Sequence, residues 1–161
     1  MQAIDMLACA PTFQESQWLP SAYRVIEQFA LHESKGFSLG VPTWLYHEPP
    51  TPFAGGIAKY FSNSLREESL VTIALGGIIF TPGSVGTIQE VFQDVAQNHD
   101  GTPGMISPMI FFGSDFWTKD RPIYPIIKDL ADGRAYDAFV TVADTTDEVI
   151  SFLKSHPPIP V

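Results

Sequence analysis

The stretch that decides the fold of this chain is G-G-I-I-F-T-P-G-S-V-G-T-I-Q-E, residues 76–90. Its apolar start predicts a β-strand over Ile78–Thr81, and a Pro-Gly turn follows. Apolar side chains then recur at helical spacing, which predicts an amphipathic helix over Thr87–Asn98; they are Ile88, Val91, Phe92 and Val95. A strand, a tight loop and the N-terminus of a helix therefore follow one another directly.

Strands and helices alternate through the rest of the chain as well. Apolar spacing, capping residues and breakers predict further helices over Met1–Ala10, Ala22–Ser34, Phe61–Leu75, Asp115–Ala131 and Thr145 or Thr146 to Lys154. Ser21 is the expected cap of the second, Ser64 and Glu67 have capping-box spacing in the third, and Pro122 and Pro125 break the first half of the fourth. Further strands are predicted over Phe37–Val41, Met109–Phe112 and Ala138–Val142. This order predicts a single α/β domain over residues 1–161, with a parallel sheet of about four strands and helices on both faces.

The composition restricts the partners and the compartment. Nine basic and 18 acidic residues give a net charge of −9, which repels nucleic acid and anionic membranes but not a phosphate held by a local loop. The apolar run from Leu70 to Phe80 is too short to span a bilayer, and no signal peptide is recognised, so we expect a cytoplasmic protein. A single cysteine and four histidines without metal-ligand spacing predict neither a disulfide nor a metal site.

The loop after the strand at Ile78–Thr81 is the first candidate site. In a parallel sheet this loop lies at the carboxyl end of its strand, where ligands bind. Unpaired N–H groups at a helix N-terminus attract phosphate, and glycine lets the backbone approach such an anion closely. We therefore predict that a phosphate binds at five consecutive residues, which are Gly83, Ser84, Val85, Gly86 and Thr87.

Two charged side chains turn this loop into a candidate reaction site. Glu90 lies one turn inside the helix, where it faces a ligand held by the loop; alternatively, Thr87 and Glu90 form a capping box. Arg66 lies near the start of its own helix, where a cation opposes the helix dipole. Its guanidinium either grips an anionic ligand or pairs with Glu67, Glu68 or Glu90.

The segment Pro82–Glu90 resembles the P-G-G-x-G-T-x-x-E signature of the Lonely Guy (LOG) family. Arg66 stands where that family has the arginine of its R-K-x-x-M segment, and the similarity runs over about residues 37–152. Ser84 replaces the second glycine of the signature, and Glu67 replaces the lysine. The first βαβ unit of the family, with its G-G-G-x-x-G-x-M loop, is missing here, because the chain begins past that loop.

Membership of this family would imply a Rossmann-like nucleotide-binding domain, shortened at the N-terminus, that needs no cofactor and forms a homodimer or higher homo-oligomer. It would imply a phosphoribohydrolase, which cleaves the N-glycosidic bond of a nucleoside 5′-monophosphate or a related phosphorylated small molecule. Glu90 and Arg66 would be the catalytic pair, and the 5′-phosphate would be held by Gly83, Ser84, Gly86 and Thr87. The sequence itself leaves open whether Glu90 or Asp94, one turn further on, activates water. The alternatives are a non-catalytic carrier or sensor of a nucleotide or phosphorylated cofactor, and an oligomerisation domain that binds no ligand.

Overall fold

A computed structural model describes residues 2–29, 36–45, 49–102 and 104–161 of the chain. These residues form a mixed α/β structure, which confirms the predicted class. They divide into two compact units, Met1–Arg66 and Glu67–Val161, so the single domain over residues 1–161 stays a prediction. Within the described ranges, no helix combines the length and the apolar character that crossing a membrane requires.

The described part of the first unit contains two complete helices and a short parallel sheet. The helices are α1, Gln2–Ala8, and α2, Trp18–Gln28, and the strands are β1, Leu39–Gly40, and β2, Gly56–Ile57. The two strands pair in parallel, Leu39 with Gly56 and Gly40 with Ile57. An isolated parallel bridge between Thr43 and Tyr60 follows the same direction. The predicted strand at residues 37–41 therefore exists, but its partner β2 was not predicted.

The start of α2 differs from the prediction. The helix begins at Trp18, and Ser21, the expected cap, is a buried residue inside it. Pro20 did not mark a boundary, because the first helical turn has no backbone hydrogen bond for a proline to remove. The predicted end of this helix near Ser34 lies outside the described residues.

A third helix, α3, covers Asn63–Ile73 and contains the boundary between the two units. Its first turn is capped by Ser62, whose Oγ accepts a hydrogen bond from the Leu65 N–H at 3.5 Å. Ser64 already lies inside the helix, so the predicted capping box of Ser64 and Glu67 is wrong.

The second unit contains the remaining strands, which are β3 (Ile78–Phe80), β4 (Met105–Ile106), β5 (Met109–Phe112), β6 (Val140–Ala143) and β7 (Ile159–Pro160). Three of them form a parallel sheet in the order β3-β5-β6, with Phe80, Phe111 and Val142 in register. The sheet in the described residues has three strands rather than about four, because β1 pairs with β2 in the first unit. The other two strands pair antiparallel: β4, which follows the loop after α4, and β7, which lies in the proline-rich tail. No strand was predicted at either place.

Three helices cover this parallel sheet, and they are α4 (Val85–Asp100), α5 (Ile123–Ala131) and α6 (Thr146–Ser155). Side chains of β5 alternate between two buried clusters, as expected of a strand covered on both faces. Met109 and Phe111 join residues of α4 and α5, whereas Ile110 packs with Val149 of α6. Trp117 closes the first cluster, with no exposed surface and its indole N–H donated to the Phe112 carbonyl oxygen at 3.0 Å.

The predicted helix over residues 115–131 is divided by proline, as expected. A π-helix covers Phe116–Asp120, and α5 begins only after Pro122. Pro125 is the third residue of α5, where the first turn tolerates it. The order of elements therefore places three strand-to-loop junctions at the carboxyl edge of one parallel sheet, at Thr81, Gly113 and Asp144.

Candidate functional site

A cavity of about 270 Å³ lies in the second unit, beside the stretch that decided the fold. It is lined by Leu70, Val71, Ala74, Ile78–Thr81, Thr87 and Glu90, and we call it the α3–α4 cavity. Beyond the cavity, the side-chain amide of Gln97 on α4 donates a hydrogen bond to the Oγ of Thr72 on α3 at 3.1 Å, which links these two helices. Apolar side chains form most of the wall, and Glu90 is its ionisable member, an arrangement common in small-molecule sites.

The loop between β3 and α4 leaves the first turn of the helix open. Ser84 is the N-cap, with φ −112° and ψ −150°, and within the described residues its hydroxyl makes no capping hydrogen bond. The Ile88 N–H donates to the Ser84 carbonyl oxygen at 3.1 Å, as the first helical hydrogen bond does. Because the first N–H groups of a helix have no acceptor inside it, those of Val85, Gly86 and Thr87 need an acceptor from outside the helix.

The capping-box interpretation of Thr87 and Glu90 is wrong. It required Thr87 to be the N-cap, but α4 begins at Val85 and Thr87 is its third residue. Thr87 and Glu90 instead lie one turn apart on the same side of α4, and both line the α3–α4 cavity. The structure therefore brings these two predicted site residues to one cavity.

Two glycines of the loop have little space where a side chain would begin. A Cβ on Gly83 would lie 2.8 Å from the Cβ of Thr87, and a Cβ on Gly86 would lie 3.0 Å from Oε1 of Glu67. The Thr87 side chain therefore covers Gly83, and the Glu67 carboxylate lies against the first turn of α4. Of the remaining predicted loop residues, Ser84 is exposed and Val85 is 80% exposed.

Asp94, the other carboxylate of interest on α4, is enclosed by protein. It is 2% exposed, its Oδ1 accepts a hydrogen bond from the Asn98 side-chain amide at 3.2 Å, and Oδ2 has no partner among the described residues. Burial raises the pKa of this carboxyl to about 7. Asn98 in turn accepts the Ser107 N–H at 2.8 Å, which links α4 to the connection between β4 and β5.

Arg66 lies in the first unit, on the first turn of α3, and is half-buried. Its guanidinium Nη1 donates a hydrogen bond to the carbonyl oxygen of Val41 at 3.2 Å. This contact fixes the side chain to the segment that follows β1. The catalytic role predicted for Arg66 stays a prediction.

The carboxyl ends of β5 and β6 are tied to each other near the loop. Both the N–H and the hydroxyl of Ser114 donate to the Asp144 carboxylate at 2.7 Å, and these hydrogen bonds lower the pKa of Asp144. A Cβ on Gly113 would lie 3.5 Å from Cγ of Pro82, so the turn after β5 adjoins the loop after β3. The sequence analysis did not predict the pairing of Ser114 with Asp144. The pattern that indicates it is a polar residue just after each strand: Ser114 follows Gly113 at the end of β5, and Asp144 directly follows β6.

Sequence reasoning also missed the helical wall of the α3–α4 cavity, which is formed by Leu70, Val71 and Ala74. Among the described residues there is no group of three or more histidine, cysteine, aspartate or glutamate side chains that could hold a metal ion. No protein-family model matches this chain, and a search of curated proteins finds no match either.

Proposed function

We propose that this chain is a LOG-like, Rossmann-like nucleotide-binding protein that hydrolyses the N-glycosidic bond of a nucleoside 5′-monophosphate. The observation that carries the proposal is the position of Glu90, which lines the α3–α4 cavity together with Thr87. A volume of about 270 Å³ is near the lower limit of small-molecule sites, ~300 Å³, and suits a ligand of nucleoside size.

The cavity wall supports this chemistry over simple binding. Cleavage breaks the bond between C1′ of the ribose and the base nitrogen, and C1′ passes through an oxocarbenium-like state. A carboxylate beside that carbon stabilises the positive charge, and apolar neighbours such as Leu70 and Val71 strengthen the attraction by excluding water.

Glu90 is also the acceptor for the proton of the attacking water. The bond from C1′ to the base nitrogen breaks as the water oxygen bonds to C1′, and one water proton passes to Glu90. Glu90 then releases this proton, which ends on the nitrogen of the departing nucleobase, so the carboxylate is regenerated. The products are the free base and ribose 5-phosphate. Glu90 suits this role better than Asp94. Asp94 is 2% exposed, and an attacking water must be able to reach the carboxylate that accepts its proton.

The test incubates the protein with AMP and measures release of adenine and ribose 5-phosphate. The Glu90→Gln variant keeps the size of the side chain but accepts no proton, so we expect a loss of ~10²–10³-fold in kcat. Asp100→Asn removes the same charge at the exposed far end of α4 and is expected to retain activity within about twofold.

The outcomes separate the candidate functions. If Glu90→Gln still releases adenine at the wild-type rate, the role of Glu90 as proton acceptor is contradicted. Protection of the protein against heat by AMP without release contradicts hydrolysis and favours the carrier or sensor. The same assay on Arg66→Ala tests the second residue that the family resemblance implicates.

A further inference from the structure

The first unit contains a cavity of about 620 Å³ that the proposed function does not use. Three segments of the chain line it: residues 11–14 together with Trp18 of α2, residues 40–42 at the end of β1, and residues 49–51. We call it the first-unit cavity. Its volume lies within the range of ~300–1,000 Å³ that is usual for small-molecule sites, so it has room for a small organic ligand.

Hydrogen bonds hold two of these lining segments in place. Oε1 of Glu15 accepts both the N–H and the hydroxyl of Thr12, at 3.2 and 3.0 Å, which fixes the turn that leads into α2. The guanidinium of Arg66 donates to the Val41 carbonyl oxygen at 3.2 Å, which fixes the segment after β1. Because these segments are already ordered, a ligand loses less binding free energy to ordering them.

Rings provide much of the lining. Phe13 and Trp18 contribute aromatic rings, and four prolines contribute saturated ones, which are Pro11, Pro42, Pro49 and Pro50. Phe13 is 39% exposed and Trp18 is half-buried, so part of each aromatic side chain remains open to a ligand. Aromatic rings bury a large area against another flat ring and gain further from stacked or edge-to-face contact. The lining therefore favours a planar aromatic ligand.

The polar side chains of the lining are uncharged. Gln14 supplies an amide that can donate and accept, and the Thr51 hydroxyl accepts the Phe53 N–H at 3.4 Å while keeping its own proton to donate. Among the described residues that line the cavity, there is no aspartate, glutamate, lysine, arginine or histidine. An ionic ligand would lose hydration here without gaining an opposite charge, whereas a neutral polar group finds hydrogen-bond partners.

We infer that the first-unit cavity is a binding site for an uncharged, planar aromatic molecule that carries a hydrogen-bonding group such as an amide. The ring of this ligand lies against Phe13 and Trp18, and its polar group pairs with Gln14 or Thr51. The inference concerns the first unit alone and does not depend on the hydrolysis proposed for the α3–α4 cavity.

The test titrates the whole chain with two probes of the same shape, indole-3-carboxamide and indole-3-carboxylate, which differ by one negative charge. Calorimetry in about 150 mM NaCl screens the net charge of −9, so the contrast between the probes reports the cavity itself. We expect the carboxamide to bind with a Kd below about 1 mM. The carboxylate is expected to bind at least about tenfold more weakly.

Phe13→Ala is expected to weaken carboxamide binding about fivefold, because the ligand loses its aromatic contact. Phe29→Ala is the matched control: Phe29 is 42% exposed, belongs to the same unit and does not line the cavity. It is expected to change the Kd by less than about twofold, since additive effects of distant sites are small. If Phe13→Ala does not fold, Gln14→Ala decides, with Gln17→Ala, an exposed residue outside the lining, as its control.

Four results would overturn the inference. They are no binding of the carboxamide at 1 mM, equal affinities for the two probes, equal losses in a cavity variant and its control, and displacement of the carboxamide by excess AMP. The last result would place the probe in the α3–α4 cavity. Failure of AMP hydrolysis, by contrast, would leave the first-unit cavity and this test unaffected.

Discussion

At the scale of single residues, Asp94 is a carboxyl group whose surroundings favour its neutral form. It is buried on α4, and one of its oxygens accepts a hydrogen bond from Asn98. Burial raises its pKa from 3.8 to about 7. The folded protein therefore keeps this proton at a pH where the unfolded chain has lost it, so ionisation of Asp94 opposes folding.

This shift makes stability depend on pH in a definite direction. The contribution of the neutral Asp94 carboxyl to the free energy of unfolding is fully present below about pH 4. It falls as the pH rises and is lost once the pH passes the folded pKa of about 7. Asp94→Asn cannot ionise and keeps a carbonyl oxygen for Asn98. We expect it to raise the free energy of unfolding at pH 8 by about 2–4 kcal/mol, with little effect at pH 4.

Urea unfolding at pH 4, 6 and 8 measures this effect. Asp100→Asn, on the exposed end of the same helix, serves as the control and is expected to differ little from wild type at each pH. If the free energy of unfolding changed with pH in the same way for wild type and Asp94→Asn, the raised pKa of Asp94 would be contradicted.

At the scale of elements, α6 has the most complete cap in the second unit among those described. The Thr145 Oγ accepts the Glu148 N–H at 3.3 Å, and Glu148 accepts the N–H groups of Asp144 and Thr145 at 2.8 and 3.0 Å. These hydrogen bonds lower the pKa of Glu148. The sequence predicted a cap at either Thr145 or Thr146, and the structure shows that it is Thr145.

Loss of the cap is expected to weaken α6 specifically. Thr145→Ala removes the acceptor for the Glu148 N–H and is expected to cost about 1 kcal/mol of stability. Thr146→Ala, one residue later and inside the helix, is expected to cost less than half of that. Chemical denaturation of both variants measures the difference, and equal losses would show that the hydroxyl of Thr145 does not act as a cap.

The elements that sequence reasoning found are those that local patterns specify. The period of Val91 and Val95 predicted α4, and the apolar run Met109–Phe112 predicted β5 with its observed bounds. Three strands were not predicted, namely β2, β4 and β7. Each has two residues and forms only by pairing with a strand distant in sequence. A pattern within a short stretch of sequence does not indicate pairing with a distant strand.

The same distinction holds for the candidate site. The loop and Glu90 were recognised because they are contiguous, and the structure brings Thr87 and Glu90 to one cavity. The contact of Glu67 with Gly86 was not predicted, because it joins two helices whose spacing only the folded unit sets. Helical period places Leu70 and Ala74 on one face but does not say whether a neighbour fills the space beside them.

At the scale of the whole molecule, the net charge of −9 acts against an anionic ligand. Repulsion by this field is screened by salt, since the Debye length falls from ~30 Å at 10 mM to ~10 Å at 100 mM. We therefore expect AMP to bind about two- to threefold more tightly at 100 mM than at 10 mM NaCl.

Calorimetric titrations at the two salt concentrations test this expectation, with adenosine as the uncharged control that should not respond. A fall in AMP affinity with salt would mean that local cations outweigh the mean field of the protein.

The enclosure of Trp117 has a spectroscopic consequence. It has no exposed surface and belongs to the second unit, whereas Trp18 is half-buried and Trp44 is 50% exposed in the first unit. Since indole emission shifts to the red in water, we expect the two units to fluoresce at different wavelengths. With phenylalanine at positions 18 and 44, Trp117 becomes a single optical reporter for the half of the chain that contains the α3–α4 cavity.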